Sequence, residues 1–344
     1  MRKSLLLTLA AAVLIGVGGC KKDESNTPAG AGAAGGGTLR LVYIPKNTGN
    51  PYFDPLIQGF KDAAAEHGAT VATVAPDSAD ATSQLPIIKD QIQQGVSAIA
   101  ISPNSPDALN PVLEEAMQKG IPVVTVDSDL TGNEQFRSVG VLTVDPQSVG
   151  EGQVELLGSL INYEGKFAIL SATTDAPNQN AWIAVMKQVL ESNPKYARMQ
   201  LVEVVYGNDE PQKSLTETES LLTKYPDLKG IIAPTTVGIA AAAQAVETAR
   251  KADSVAVTGL GTPNQMRRFV QNGTVRAFAL WSPYDEGYLA GHVTAMLAKQ
   301  QLEPAPGKTF SAGKLGERTL RDKNVVHTGK LLVFTKENID QFQF

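Results

Sequence analysis

The sequence predicts an α/β fold of two doubly wound lobes. Short apolar runs of β character alternate with amphipathic helical stretches over most of the chain. The apolar runs are continuous rather than alternating, as in strands that helices cover on both faces. The rhythm breaks near residues 141–144 and then restarts, which marks a crossing from one lobe to a second.

In order, residues 39–44 read as a strand. Residues 52–67 read as a helix, with Phe53, Ile57, Phe60 and Ala64 on one face. Strands follow at 70–74, 98–101 and 122–126, with helices at 80–94, where Pro86 bends or shortens the element, and at 106–118. After Asp145 the pattern resumes with helices at 146–160, 178–190, 212–224, 237–248, 263–270 and 283–299. The strands between them lie at 167–170, 201–206, 230–233, 255–258 and 275–280. The tail is less regular, and its apolar pieces 325–326 and 331–334 suit edge strands.

The chain opens with Met1-Arg2-Lys3 before an apolar run, 5–17, that ends in Val17-Gly18-Gly19-Cys20. A charged start, an apolar run short of the roughly 20 residues of a spanning helix, and small residues before a cysteine resemble a bacterial lipoprotein signal. Two other readings stay open, a chance cysteine after cleavage elsewhere and a retained membrane helix. Cys20 is the only cysteine, so no internal disulfide forms. Residues 21–37 are charged and then Gly-rich, a flexible tether. The expectation is a signal peptide over 1–19 and a lipid-anchored flexible linker over 20–38. Location would be the cell envelope, membrane-attached and facing the periplasm or exterior.

Net charge is −5, from 30 basic and 35 acidic residues, which argues against broad nucleic-acid binding. No cysteine cluster suggests zinc, and His67, His292 and His327 are scattered. Motifs of serine hydrolases, P-loop proteins and zinc peptidases are missing, so neither cofactor nor metal is expected.

Ligands of open parallel sheets bind beyond the carboxyl ends of strands, so the loops there carry the candidates. After the first strand, Lys46 offers donors, Asn50 both polarities, and Tyr52 and Phe53 flat apolar faces. That mixture suits a sugar, whose hydroxyls need paired hydrogen bonds and whose C–H face needs a ring. Asn50 and Pro51 also suit a helix start. Ser102 and Asn104 either line the same mouth or cap the next helix. Asp127 and Asp129 end the fourth strand. They are acceptors for ligand hydroxyls, surface-turn residues, or an acid/base pair for glycoside hydrolysis. In the second lobe, Asn178 and Gln179 follow a strand and precede Trp182, with a capping role for Asn178 as the alternative. Pro234, Thr235 and Thr236 follow another strand, and Trp281 either stacks on a ligand or packs in the hinge.

Several stretches together resemble the type I periplasmic solute-binding proteins of ABC sugar importers. They are IPKNTGNPYF at 44–53, VVTVDSD at 123–129, residues 178–182, IIAPTTVGIAAAA at 231–243, GTPNQMR at 261–267 and FALWSPYDEGYLA at 278–290. The similarity is to the ribose-binding-like superfamily and within it to the rhamnose-binding and autoinducer-2-binding branch. It implies two Rossmann-like lobes, an N-terminal one from 39–143 plus 283–307 and a C-terminal one from 144–282 plus 308–344. A hinge of three crossings would close them on ligand. It also implies a monomer that works with a permease and an ATPase, and no catalysis.

Carried onto this chain, the resemblance implies a ligand shell of Lys46, Asp127, Asn178, Gln179, Pro234 and Thr236, with Tyr52 or Phe53 stacking on the ring. The autoinducer-2 branch usually carries aspartate at 178 and a small apolar residue at 236, and ribose-type binders carry aspartate at 261, where this chain has glycine. These departures favour a neutral deoxyhexose, rhamnose first. The alternatives are autoinducer-2 and, from another class, a secreted carbohydrate enzyme.

Overall fold

The computed structural model describes residues 38–344. The signal, Cys20 and all but the last residue of the expected linker lie outside the described residues.

The first half builds β1 (Arg40–Ile44), α1 (Phe53–Glu66), β2 (Thr70–Thr73), α2 (Leu85–Gln93), β3 (Ala98–Ile101), α3 (Asn110–Gln118), β4 (Val123–Asp127) and β5 (Val139–Leu142). The second half builds α4 (Pro146–Leu160), β6 (Glu164–Ser171), α5 (Pro177–Ser192), β7 (Arg198–Tyr206), α6 (Pro211–Lys224), β8 (Leu228–Ala233), α7 (Thr236–Thr248), β9 (Ala256–Gly259), α8 (Pro263–Gln271) and β10 (Ala277–Leu280). Then come α9 (Pro283–Ala298), β11 (Thr309–Ser311), β12 (Glu317–Thr319), β13 (Val325–His327) and β14 (Leu332–Thr335).

The first sheet runs β13-β5-β4-β3-β1-β2 and is parallel throughout. Its continuous apolar strands feed both faces. Val42, Ile44, Ile99 and Ile101 pack towards α2 and α3, while Leu41, Tyr43, Ala98 and Ala100 join the core that includes α1 and α9. The second sheet runs β7-β6-β8-β9, also parallel. A single bridge from Leu260 to Ala279 continues it to β10, which pairs antiparallel with β14. In each lobe the order reverses beside the first strand, between β1 and β3 and between β6 and β8, and ligands of such sheets bind at that reversal.

The chain crosses between the lobes three times: after β5, between β10 and α9, and between β13 and β14. Two crossings are bonded together, Thr328 N donating to Leu142 O at 3.0 Å and the His327 imidazole meeting Thr143 O at 2.9 Å. This is the two-lobed, hinged α/β fold that the sequence predicts.

Part of the expected lobe boundaries is corrected. Residues 308–344 were expected in the C-terminal lobe, but β13 pairs with β5 on the first sheet, and Gly313 lies against Tyr288 and His292 of α9. Only β14 and the residues after it join the second lobe, where Phe334 stacks on Phe278. Strand β5 overlaps residues 141–144, where the sequence rhythm breaks, and Gly140 interrupts its short apolar run. A Cβ there would lie 3.2 Å from the Arg137 guanidinium, so glycine makes room for that side chain. The α2 and α3 helices begin later than expected, each with a proline in its first turn, where the missing N–H costs nothing.

Helices α1 and α9 cross with backbones in direct contact. A Cβ on Gly287 would stand 1.8 Å from Leu56 O, and one on Gly59 would stand 2.1 Å from Tyr284 O. This crossing seats α9 on the first lobe immediately after the chain leaves the second. Gly287→Ala is expected to lower stability by about 3 kcal/mol, read as a lower denaturant midpoint at unchanged slope.

Candidate functional site

The loop after β1 is fixed from below. Gln84, fully buried, donates to Pro45 O at 3.0 Å and Ser102 O at 2.8 Å, while its Oε1 accepts from Asn104 N. Asn104 Nδ2 donates to Lys46 O at 2.8 Å. Ser102 bonds the Tyr43 hydroxyl. Ser102 and Asn104 therefore hold the β1 loop in place and do not line the cleft cavity. With its main chain held this way, Lys46 extends into the cleft, only 5 % exposed.

Asp127 closes β4 with φ at 66°, a left-handed conformation that a side chain with a Cβ adopts only under constraint. Lys46 Nζ stands 3.6 Å from Asp127 Oδ2 and donates to Asn178 Oδ1 at 3.0 Å. Asn178 Nδ2 donates to Asp127 Oδ2 at 3.1 Å. Because Asn178 begins α5 of the second lobe, this triangle ties the lobes across the cleft. A second tie runs from the Thr236 hydroxyl to Asn50 Oδ1 at 2.9 Å. Asn50 Oδ1 also accepts from Tyr52 N at 3.1 Å, so the residue both steers the start of α1 and reaches across the cleft.

Between these ties lies a cavity of about 360 Å³ of non-atom space, partly open to solvent. Lys46, Asn50, Tyr52, Phe53, Asp127, Asn178, Gln179, Pro234, Thr235, Thr236 and Trp281 all line it. Gln179 Oε1 is taken by Ser171 Oγ at 2.8 Å and Ala172 N at 2.7 Å, which leaves its amide nitrogen for a ligand. Tyr52 meets Phe53 and Trp281 edge-on, with centroids 5.2 and 6.2 Å apart, and Trp281 meets Trp182 at 5.8 Å. Together they form an aromatic wall. Trp281 thus lines the cavity while standing where the chain crosses between the lobes.

Asp129 is a correction. Its carboxylate does not line the cavity but grips Arg137 through two bonds, at 2.7 and 2.6 Å, and accepts from Thr125 at 2.7 Å. Strand β4 ends at Asp127, whose positive φ turns the chain, so Asp129 two residues on is directed to Arg137 instead of into this cavity. Gly261, where ribose-type relatives imply aspartate, is packed against Met266, Ile239 and Phe278.

Asp209, Trp182, Leu260 and Leu280 line the cavity without having been singled out as ligand residues. Asp209 comes from the turn after β7, whose signal was the strand-end Gly207-Asn208-Asp209. Asn208 and Asp209 both have φ near 55° (56° and 54°), which aims the carboxylate inward, and the Thr235 hydroxyl donates to it. Burial raises both Asp127 and Asp209, and the Lys46 charge offsets part of that rise in each. Among the described residues, Lys46 is the one cation lining this cavity, beside the carboxylates of Asp127 and Asp209. No group of His, Cys, Asp and Glu among the described residues could hold a metal.

Two hinged lobes closing over a small cavity walled by aromatics and polar side chains define a cleft-binding protein. Residues 41–302 match the family described as periplasmic binding protein domain. The chain belongs to that family, which binds solutes for transport and does not catalyse reactions. A sugar ABC transporter protein from Actinomyces odontolyticus is 40 % identical, with 89 % of this chain and 98 % of that one aligned at a TM-score of 0.71. An ABC transporter solute-binding protein from Clostridium phytofermentas with bound L-rhamnose is 32 % identical, over 89 % of this chain and 98 % of that one, at a TM-score of 0.85. The D-ribose/D-allose-binding protein of Pseudomonas aeruginosa is 27 % identical over 246 residues, 70 % of this chain and 76 % of the relative.

The Arg137 side chain is 1 % exposed, so losing Asp129 strands a buried cation. Asp129→Ala is expected to cost about 3 kcal/mol of folding stability or more, measured by denaturant unfolding. An unchanged midpoint contradicts the structural role given to that pair.

Proposed function

We propose that the protein is the solute-binding component of an ABC sugar importer and that it captures one neutral monosaccharide, L-rhamnose first, between its lobes. The cavity carries this reading. Its polar groups alternate with flat apolar faces, as a pyranose demands. Asp127 and Asp209 accept hydroxyl protons, Lys46 and the amides donate, and Tyr52, Trp281 and Trp182 cover the C–H face. An anionic sugar phosphate would meet two carboxylates against one lysine, so a neutral ligand is favoured.

The preference for rhamnose rests on three observations. Asn178 stands where the autoinducer-2 branch implies a charged aspartate and Thr236 where it implies a small apolar residue, so this shell is polar but less charged at 178. Gly261 leaves out the ribose-type carboxylate. The L-rhamnose-bound relative shares 32 % identity. Capture would be followed by closure and hand-over to a permease driven by an ATPase. An acyl chain on Cys20 would keep the receptor at that membrane, with residues 21–37 as the tether.

Calorimetry with L-rhamnose is the test. Saturable one-to-one binding is expected, and Asp127→Ala should weaken it by about 2 kcal/mol or more, roughly thirtyfold. Binding of autoinducer-2 that L-rhamnose does not displace would move the assignment to a signal receptor. Full affinity in Asp127→Ala would overturn the placing of the site.

A further inference from the structure

Glu286 lies in the first turn of α9, directly behind the aromatic wall, and is fully enclosed. Its Oε2 stands 2.5 Å from the Tyr52 hydroxyl oxygen and accepts from Trp281 Nε1 at 3.2 Å. Trp281 Nε1 also reaches the Tyr52 oxygen at 2.9 Å. Oε1 has no protein partner. Among the described residues no cation pairs with Glu286.

The groups around it are few. Strands β3 and β5 contribute only apolar residues or glycine where α9 packs on them. Strand β1 contributes Tyr43, whose hydroxyl bonds Ser102. Strand β4 contributes Asp127. On α1, Asp62 and Glu66 take the hydroxyls of Tyr284 and Tyr288 on the flank that also carries Lys314, while Asp54 and Lys61 point to solvent. On α9 itself, Asp285 caps through its amide on Ser282.

Two effects compete over the charge of Glu286. The N-terminus of α9 favours an anion by about 0.3–1 kcal/mol. Burial of a carboxylate with no paired cation costs several kcal/mol, and the donors from Tyr52, Trp281 and the Asp127 backbone amide offset that only in part. Burial wins. The nearby Asp127 charge acts in the same direction, so the Glu286 carboxyl is held well above the usual range. A neutral carboxyl is also a donor, and among the described residues the acceptor it meets is the Tyr52 oxygen, which has room for both the Glu286 proton and the Trp281 N–H.

We propose that Glu286 is a positioning residue of the ligand site, a neutral acid that donates to the Tyr52 oxygen and so turns the Tyr52 hydroxyl proton towards Asp127. Tyr52 and Asp127 line the same cavity, and a bond from the Tyr52 hydroxyl would favour the charged form of Asp127. Ligand closure shuts water out of the cavity and makes a second anion beside Asp127 more costly. The closed complex therefore holds the Glu286 proton more tightly than the free protein does. Affinity is full below the free protein's Glu286 value and is lost as pH rises through the value in the complex. The inference rests on the monosaccharide reading for its ligand, but not for the proton on Glu286.

The test uses the full chain and L-rhamnose, titrated by calorimetry from about pH 6 to about pH 9, the span reached by buried glutamates. The parent is expected to lose roughly tenfold or more in affinity across it. Glu286→Gln, whose amide supplies the same donor at every pH, should start within about threefold of the parent and stay flat. An identical pH profile in both proteins overturns the proposal, as does a Gln variant that binds as weakly as Glu286→Ala or fails to fold. A ligand-free arm separates this from the sugar assignment. Trp182→Phe leaves Trp281 as the single tryptophan. Its emission should titrate with pH, and adding Glu286→Gln should abolish the titration. If no sugar binds but this titration is present, the ligand class fails and the proton assignment stands; if Trp281 does not titrate, the proton assignment falls.

Discussion

The cleft depends on one buried cation. Lys46 stands between Asp127 and Asn178, with Asp209 near enough for its charge to be felt. A lone buried ammonium costs several kcal/mol, which a well-placed carboxylate and an amide oxygen offset. Because the carboxylate belongs to one lobe and the amide to the other, that compensation is complete only when the lobes meet. The electrostatics of the site and the hinge motion are thus one problem. The same arithmetic explains the unusual backbone at Asp127, held at a positive φ where its carboxylate reaches the lysine.

Around that cation the fold supplies two strand-order reversals facing each other, one per lobe. The loops after β1 and β4 bring Lys46, Asn50 and Asp127, and those after β6, β7 and β8 bring Asn178, Asp209 and Thr236. Buried polar residues behind them, Gln84 and Asn104 on one side and Gln179 with Ser171 on the other, fix the loops without touching solvent. The direct α1–α9 crossing and the bonded crossings at Leu142 and Thr328 give the lobes a stiff joint to turn about.

Most of this layout was legible in the sequence, because apolar periodicity sets strands and helices and because ligand loops follow strands. Lys46, Asp127, Asn178 and Thr236 stood at strand ends and could be picked out there. What escaped had physical reasons. Strand β5 is short and broken by a glycine that serves Arg137. Strand β13 returns to the first sheet from far along the chain, a long-range pairing that no local pattern records. Asp129 looked equivalent to Asp127, yet a two-residue step round the turn placed it on Arg137. Asp209 and Glu286 were missed because nothing local marks a carboxylate as buried; only the packing of distant elements does that.

The central claim is that one neutral monosaccharide fits between the lobes on Lys46 and Asp127. Native mass spectrometry of the full chain tests it most directly, after incubation with an equimolar mixture of L-rhamnose, D-ribose, a disaccharide and a sugar phosphate. A single adduct with the mass of one neutral monosaccharide is predicted. A disaccharide or sugar phosphate adduct, or no adduct with any of the four, would contradict it.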